Sequence, residues 1–165
     1  MRFDRREMYP EFLSLQYHRP GNQRGCGVPF RVLVVEDSPG MRSFVRASLE
    51  EGGFADVVEA ANGFEALRLL PRERYDLVVT DINMPDIHGL EVLSFMRKSE
   101  AHATTPVIIV STEGAQRDRE RGMALGADAY LTKPFEPEML RATAQRVLDE
   151  RSRKADPSAS PKPRT

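Results

Sequence analysis

The chain has 165 residues, which is enough for one domain with a sizeable hydrophobic core, and its formal net charge is −1. The charge is unevenly distributed, since residues 1–29 carry +2, residues 30–149 carry −6 and residues 150–165 carry +3. This acidic middle region argues against a nucleic-acid-binding domain, which clusters basic residues on one face, and no apolar run is long enough to span a membrane.

Residues 1–29 show no sustained hydrophobic period and contain three prolines, so they are predicted to form an irregular N-terminal arm. An alternative is that they are not native, because a valine codon can start translation in bacteria. A chain starting at Val28 would begin three residues before the first predicted strand. The arm contains the single cysteine, Cys26, which cannot form an internal disulfide, and it lacks the apolar core of a signal peptide. A reducing, cytoplasmic location is therefore expected.

The next part of the sequence predicts two strands and two helices. Strand one covers Arg31–Val35, and Ser38-Pro39 then starts a helix, because serine caps the first turn and proline fits the first helical position. Apolar residues recur at helical spacing until Gly52-Gly53 ends this helix, and Val57-Val58 forms a short second strand. The second helix is marked by three apolar residues, Phe64, Leu67 and Leu70.

Three further strands and helices follow. Leu77–Val79 is apolar without polar alternation, which is typical of a strand covered on both faces, as in a parallel sheet. Helix three is marked by Leu90, Leu93 and Met96. The remaining elements are strand four at Pro106–Val110, a charged helix at Gln116–Leu125, strand five at Ala129–Leu131 and a helix that opens at Pro137. Residues 151–165 lose the apolar period and are predicted to be a disordered basic tail.

Strands that alternate with helices across short loops predict a three-layer α/β domain over residues 30–150, with a five-stranded parallel sheet in the middle. Several of these strands end in polar residues. Since the carboxyl ends of parallel strands share one edge of the sheet, where ligands bind in open α/β folds, these residues are candidates for one site. The candidates are Glu36-Asp37, Asp81, Ser111-Thr112 and Lys133. Each alone has an ordinary explanation as a cap, a strand-end serine or a solvated lysine.

Four motifs in this region resemble the receiver domain of two-component response regulators, and most of all the stand-alone chemotaxis-type receivers. They are VLVVED at 32–37, DLVVTDINMP at 76–85, VIIVSTEG at 107–114 and GADAYLTKPF at 126–135. The resemblance covers residues 30–150. It implies a flavodoxin-like (βα)5 fold with strand order 2-1-3-4-5, in which strands one and three are neighbours.

The resemblance also implies a phosphoacceptor rather than an enzyme. Asp81 would accept a phosphoryl group from a sensor histidine kinase or a phosphotransfer protein. Mg²⁺ would be held by the carboxylates of Asp37 and Asp81 and by the backbone carbonyl of Asn83, with Glu36 acting through water.

Further residues are implied in charge stabilisation and signalling. Lys133 and the Ser111 hydroxyl would stabilise the charge on the phosphoryl oxygens, and the peptide bond from Lys133 to Pro134 is expected to be cis. Tyr130 matches the aromatic switch position, although plain half-buried packing is the alternative. Phosphorylation would be detected by a downstream target protein that binds the Gln116–Val147 face in a phosphate-dependent way. Neither a nucleic acid nor a membrane is an expected partner.

Other functions compete with this interpretation. A phosphohydrolase of the haloacid-dehalogenase type also uses a strand-end aspartate and Mg²⁺, but it needs an acid where this chain has Asn83. A nucleotide-binding module would need a glycine-rich phosphate loop, which is absent from the sequence. A receiver-like interaction module that takes no phosphate is the third alternative. His88 is interpreted as a solvent-exposed loop residue, and His18, His102 and Cys26 have no partners at metal-ligand spacing.

Overall fold

The computed structural model describes residues 29–53, 55–112 and 116–155. The predicted N-terminal arm, apart from Pro29, and the last ten residues of the predicted tail lie outside the described residues. The strands are β1 (Phe30–Val35), β2 (Ala55–Ala60), β3 (Leu77–Asp81), β4 (Val107–Thr112) and β5 (Ala129–Lys133). The helices are α1 (Pro39–Glu50), α2 (Gly63–Leu69), α3 (Gly89–Lys98), α4 (Gln116–Ala124) and α5 (Pro137–Ala155), and a short 3-10 turn at Glu51–Gly53 follows α1.

The five strands form one parallel sheet in the order β2-β1-β3-β4-β5, which confirms the predicted fold. The register aligns the carboxyl ends of the central strands. Asp81 at the end of β3 pairs with Val110 on β4, and Thr112 at the end of β4 pairs with Lys133 on β5. The polar strand ends therefore share one edge of the sheet.

Each face of the sheet carries its own hydrophobic core. Alternate residues of β1 point to opposite faces, because side chains alternate along a strand, and all four from Val32 to Val35 are buried. Val32 and Val34 pack with the buried residues of α1 and α5, and Leu33 and Val35 pack with those of α2 and α3. Burial of such a side chain contributes about 1.5–3 kcal/mol, which explains the unbroken apolar runs in the sequence.

The helices differ in how much they bury. Helix α5 buries Leu140, Ala144, Val147 and Leu148, whereas α4 buries a single residue, Gly122. Within the described residues, no helix is both long enough and apolar enough to cross a bilayer.

Phe64 lies in α2, the helix it is predicted to mark, but it does not face the core, since 65% of Phe64 is exposed. The buried face of α2 instead runs through Gly63 and Ala66 to Leu70. A side chain at Gly63 would come within 2.7 Å of Ile87, so the helix approaches the loop between β3 and α3 at this glycine. This contact fixes the rotation of α2 and turns Phe64 outward.

Helix α5 is longer than predicted and continues to Ala155, so residues 151–155 of the predicted disordered tail are helical. The last turns are held by polar contacts rather than by an apolar face. The Ser152 hydroxyl donates to the Leu148 carbonyl at 3.0 Å. The Arg151 guanidinium donates to the carbonyl of Asp76, the residue just before β3, at 3.2 Å. Arg146 and Glu150 also form an ion pair one turn apart at 2.8 Å.

The two histidines in the described residues have structural rather than catalytic contacts. His102 is fully buried, and its Nε2 lies 2.8 Å from the Leu70 carbonyl oxygen while its Nδ1 lies 3.2 Å from the Thr105 hydroxyl. It thus joins the segment before β3 to the segment before β4. His88 is exposed and precedes α3, where its backbone N–H donates to the Glu91 carboxylate at 2.9 Å. His18 and Cys26 lie outside the described residues.

Gly89 is required by a close approach at the start of α3. Its N–H donates to the Ile82 carbonyl at 3.1 Å, and a Cβ at this position would overlap with the Asp81 carbonyl oxygen. Gly89→Ala is expected to lower the free energy of unfolding by about 1–3 kcal/mol, because the overlap forces the backbone to shift. Urea denaturation measures this change. Gly40→Ala in α1 is the control, since a Cβ there meets open space and helical alanine is favoured over glycine. Equal losses in both variants would contradict this explanation.

Candidate phosphorylation and metal site

Three carboxylates meet at the carboxyl ends of β1 and β3. Asp81 is the last residue of β3 and is 5% exposed, while Glu36 follows β1 directly and is 1% exposed. Asp37 is the next residue and is exposed. One carboxylate oxygen from each of the three residues lies within 4.8 Å of the others. The adjacency of β1 and β3 produces this cluster from residues that are more than forty positions apart in the sequence.

Lys133 reaches the cluster from the end of β5. Its Nζ lies 2.7 Å from Glu36 Oε2 and 3.2 Å from Asp81 Oδ2, and its side chain is 12% exposed. The peptide bond from Lys133 to Pro134 is cis. The long lysine side chain therefore crosses the end of β4 to contact carboxylates on two other strands.

The charges of the cluster act on one another. Burial raises the pKa of Glu36, and the nearby negative charge of Asp81 raises it further. The hydrogen bonds from Lys133 and Ser38 lower this pKa, but they do not cancel the increase. Burial alone would lower the pKa of Lys133, but the hydrogen bond to Glu36 and the charges of Asp81 and Glu36 outweigh it and raise the pKa. Lys133 therefore keeps its positive charge at neutral pH.

The donor set fits a hard divalent cation. When all four groups are ionised, three carboxylates and one ammonium leave a net charge of −2 at the sheet edge. The carboxylates offer oxygen atoms, which Mg²⁺ prefers, and the exposed side of the cluster at Asp37 leaves room for water ligands. The arrangement is therefore suited to bind Mg²⁺ next to the Asp81 carboxylate.

Asn83 and Ser111 flank Asp81. The Asn83 backbone N–H donates to Asp81 Oδ1 at 3.2 Å, and the Asn83 side-chain amide donates to Ser111 Oγ at 3.4 Å. Ser111 is fully buried near the end of β4, whereas Thr112, the other candidate on this strand, is exposed. A chain of hydrogen bonds thus connects the end of β4 to the phosphoacceptor candidate.

Tyr130 lies apart from the carboxylates. It is half-buried on β5 and packs against the core on the α2 and α3 face. The Arg119 guanidinium of α4 is 5.9 Å from the centre of its ring, a distance compatible with a cation–π contact. Tyr130 therefore lies between the sheet and α4 rather than in the acidic cluster.

Two residues that contact the site were not identified from the sequence. Arg42 on α1 donates to the Glu36 backbone carbonyl at 2.9 Å, and the buried Thr80 hydroxyl donates to the Asp81 carbonyl at 3.0 Å. Both contacts use backbone oxygens, which every residue has, so no side-chain pattern reveals them. The only available signal was the position of Arg42 one helical turn after the cap residue Ser38.

Comparison with known proteins agrees with this architecture. Residues 32–145 match the family model of the response regulator receiver domain. A chemotaxis protein CheY homolog of Campylobacter jejuni is 36% identical over 119 residues, which cover 72% of this chain and 92% of that protein. The response regulator Rre1 of Synechocystis is also 36% identical, over 128 residues, but the 78% of this chain that aligns spans only 55% of that longer protein.

Solved structures show the same likeness. The chemotaxis response regulator CheY4 of Vibrio cholerae has a TM-score of 0.68 and 37% identity, covering 73% of this chain and 99% of that one. The receiver domain of the sensor histidine kinase PA1611 from Pseudomonas aeruginosa has a TM-score of 0.68 and 30% identity, covering 74% and 99%. That structure has a magnesium ion coordinated in its active-site cleft.

The chain belongs to the response regulator receiver domain family of two-component systems. Within that family it is similar to the CheY-type proteins of chemotaxis. Receiver domains are phosphoacceptors rather than conventional enzymes, and they bind Mg²⁺ in an acidic active site.

The ion pairs of Lys133 make a prediction about stability. Lys133→Met is expected to lower the free energy of unfolding by about 3 kcal/mol in metal-free buffer, because it leaves two buried carboxylates without a cation. Chemical denaturation at pH 7 with a chelator present tests this. Lys154→Met, at an exposed position near the end of α5, is the control and should change stability by less than about 0.5 kcal/mol. Wild-type stability in Lys133→Met would mean that the carboxylates need no lysine.

Proposed function

We propose that this chain is a chemotaxis-type response regulator that accepts a phosphoryl group on Asp81 with the help of Mg²⁺. The donor is a phosphohistidine on a sensor kinase or a phosphotransfer protein, and the location is cytoplasmic. The observation that supports this most strongly is the convergence of Glu36, Asp37 and Asp81 with Lys133 at one sheet edge. The phosphorylated form acts by binding a separate target protein, and neither nucleic acid nor membrane is a partner.

The metal would be held by the carboxylates of Asp37 and Asp81 and by the Asn83 backbone carbonyl, with Glu36 acting through water. When bound, Mg²⁺ supplies positive charge that stabilises the phosphoryl oxygens during transfer. The magnesium ion in the related PA1611 receiver domain supports this assignment, as does the oxygen-rich donor set of this chain.

Asp81 is the nucleophile in this proposal. An oxygen of its carboxylate forms a bond to phosphorus while the nitrogen–phosphorus bond of the donor breaks, and the electron pair returns to the imidazole. The positive charge of Lys133, 3.2 Å from Asp81 Oδ2, favours the ionised nucleophile and then neutralises charge on the transferred group. The buried Ser111 hydroxyl donates to a phosphoryl oxygen after transfer.

Transfer of the signal uses the strands next to the site. Ser111 lies two residues beyond Ile109, which pairs with Tyr130 across the β4–β5 ladder. A movement of Ser111 toward the phosphoryl group would shift the end of β4 and open space for the Tyr130 ring. Arg119 lies over that ring, so α4 would respond, and the target would detect the change on the Gln116–Val147 face.

The alternative functions have less support. The position where a haloacid-dehalogenase-type hydrolase needs an acid holds Asn83, whose amide donates to Ser111 and cannot transfer a proton. An interaction module that takes no phosphate would not need a buried lysine between two carboxylates. Phosphorylation of the wild-type chain distinguishes the proposal from an interaction module that takes no phosphate.

Asp81→Asn is expected to abolish phosphorylation, because an amide cannot serve as the nucleophile. Incubation with acetyl phosphate and Mg²⁺ followed by intact mass spectrometry should show one added phosphoryl group on the wild-type chain and none on the variant. Asp86→Asn is the control, since Asp86 lies in the same loop at a positive φ of 67°, a conformation that asparagine tolerates. Phosphorylation of Asp81→Asn at the wild-type level would refute the assignment.

Ser111→Ala is expected to keep phosphorylation but lose its effect on α4 and β5. The readout is hydrogen exchange of residues 116–133 with and without beryllofluoride and Mg²⁺. Coupling between sites is typically about 1–3 kcal/mol, so protection in the wild type should change by roughly 5–150-fold. Tyr130→Ala should lose the change as well, whereas Ser43→Ala, at an exposed position on α1, should keep it. A wild-type response in Ser111→Ala would remove the hydroxyl from the signalling route.

A further inference from the structure

The loop between β1 and α1 carries two of the three carboxylates and is held by contacts from several directions. The Glu36 N–H donates to the Ala60 carbonyl at the end of β2 at 3.1 Å. The Ser38 N–H donates back to the Glu36 carboxylate at 3.1 Å. A guanidinium N–H of Arg42 donates to the Glu36 backbone carbonyl at 2.9 Å, so a charged side chain holds the same peptide unit from the helix.

Arg42 is itself fixed in place. Its Nε lies 3.6 Å from Glu59 Oε1 on β2, and only 20% of its side chain is exposed. Arg46, one helical turn later, binds the other oxygen of Glu59 at 2.8 Å and also pairs with Glu50 at 3.1 Å. Glu59 thus lies between two arginines, of which Arg42 also donates to the Glu36 carbonyl, whereas Arg46 also pairs with Glu50.

We infer that Arg42 is a positioning residue for the divalent cation, one that orients the Glu36–Asp37 peptide unit and thereby the Asp37 carboxylate. This inference rests on the proposed function. The Glu36 carbonyl and the Asp37 N–H belong to one planar peptide group, so a hydrogen bond that fixes the carbonyl also fixes the position of the Asp37 Cα, from which the side chain departs. Asp37 is exposed and borders water, so the backbone contacts of this loop, including the one from Arg42, limit where its side chain starts.

The position of Arg42 suits this role better than a direct role at the metal. A cationic side chain has no electron pair to offer a cation, so Arg42 cannot be a ligand. Its planar, rigid group can hold the Glu36 carbonyl and the Glu59 carboxylate at the same time, which a flexible ammonium does less well. Residues that orient metal ligands typically change metal affinity by 10–100-fold when they are replaced.

The test compares Arg42→Gln with Arg46→Gln by calorimetric titration with MgCl₂. Both variants lose one positive charge and one ion pair with Glu59, and Arg46→Gln also loses its ion pair with Glu50, so the control variant is perturbed at least as much in its salt bridges. Arg42→Gln alone loses the contact with Glu36. We expect its Mg²⁺ affinity to fall by about 10-fold or more, while that of Arg46→Gln stays within about twofold of the wild type.

Equal Mg²⁺ affinities in the two glutamine variants would overturn the positioning role while leaving the magnesium site intact. If Arg42→Gln does not fold, the comparison is between Arg42→Lys and Arg46→Lys, where weaker Mg²⁺ binding in Arg42→Lys alone supports the inference and equal binding overturns it. A wild-type chain that binds no Mg²⁺ in the same titration would refute the proposed function itself, and the role of Arg42 with it.

Discussion

Repulsion between carboxylates at a partly buried sheet edge is the constraint on which this site depends. Three oxygens within 4.8 Å of one another repel by about 3–4 kcal/mol per pair at an effective dielectric of about 20. Lys133 offsets part of this repulsion, and a divalent cation can offset the rest. The same unfavourable charge that costs stability in the free protein therefore favours the binding of a divalent cation at this edge of the sheet.

The parallel sheet supplies the rest of the design. Because all five strands run in the same direction, their polar ends gather at one edge while their apolar residues form a core on each face. The strand order brings β1 beside β3 and leaves β4 between the phosphoacceptor candidate and Lys133. Ser111 is therefore placed between the acidic cluster and the β5 strand that carries Tyr130.

Much of this architecture could be predicted from the sequence, because strand-end polar residues and apolar runs are local signals. The strands and the convergence of Asp81 with Lys133 follow from those signals and from the family resemblance. The rotation of α2 about its axis could not be predicted in this way, because it depends on the close approach of Gly63 to Ile87, which is far along the chain. The length of β2 was also missed, because its Asp56 and Glu59 form ion pairs with Arg31 and Arg46, which are distant in the sequence. The polar end of α5 depends on a hydrogen bond from Arg151 to the Asp76 carbonyl. Hydrophobic periodicity does not encode such long-range contacts.

The weak attachment of α4 has a consequence for how such a protein can be regulated. This helix buries only Gly122, whose backbone lies against Ile109, whereas α5 is anchored by four buried side chains. Elements with few buried contacts open and shift at low free energy. A shift of α4 along the sheet would therefore sacrifice little packing. A more firmly anchored helix would move only at a higher free-energy cost, so the poor packing of α4 suits the reporting role proposed for it.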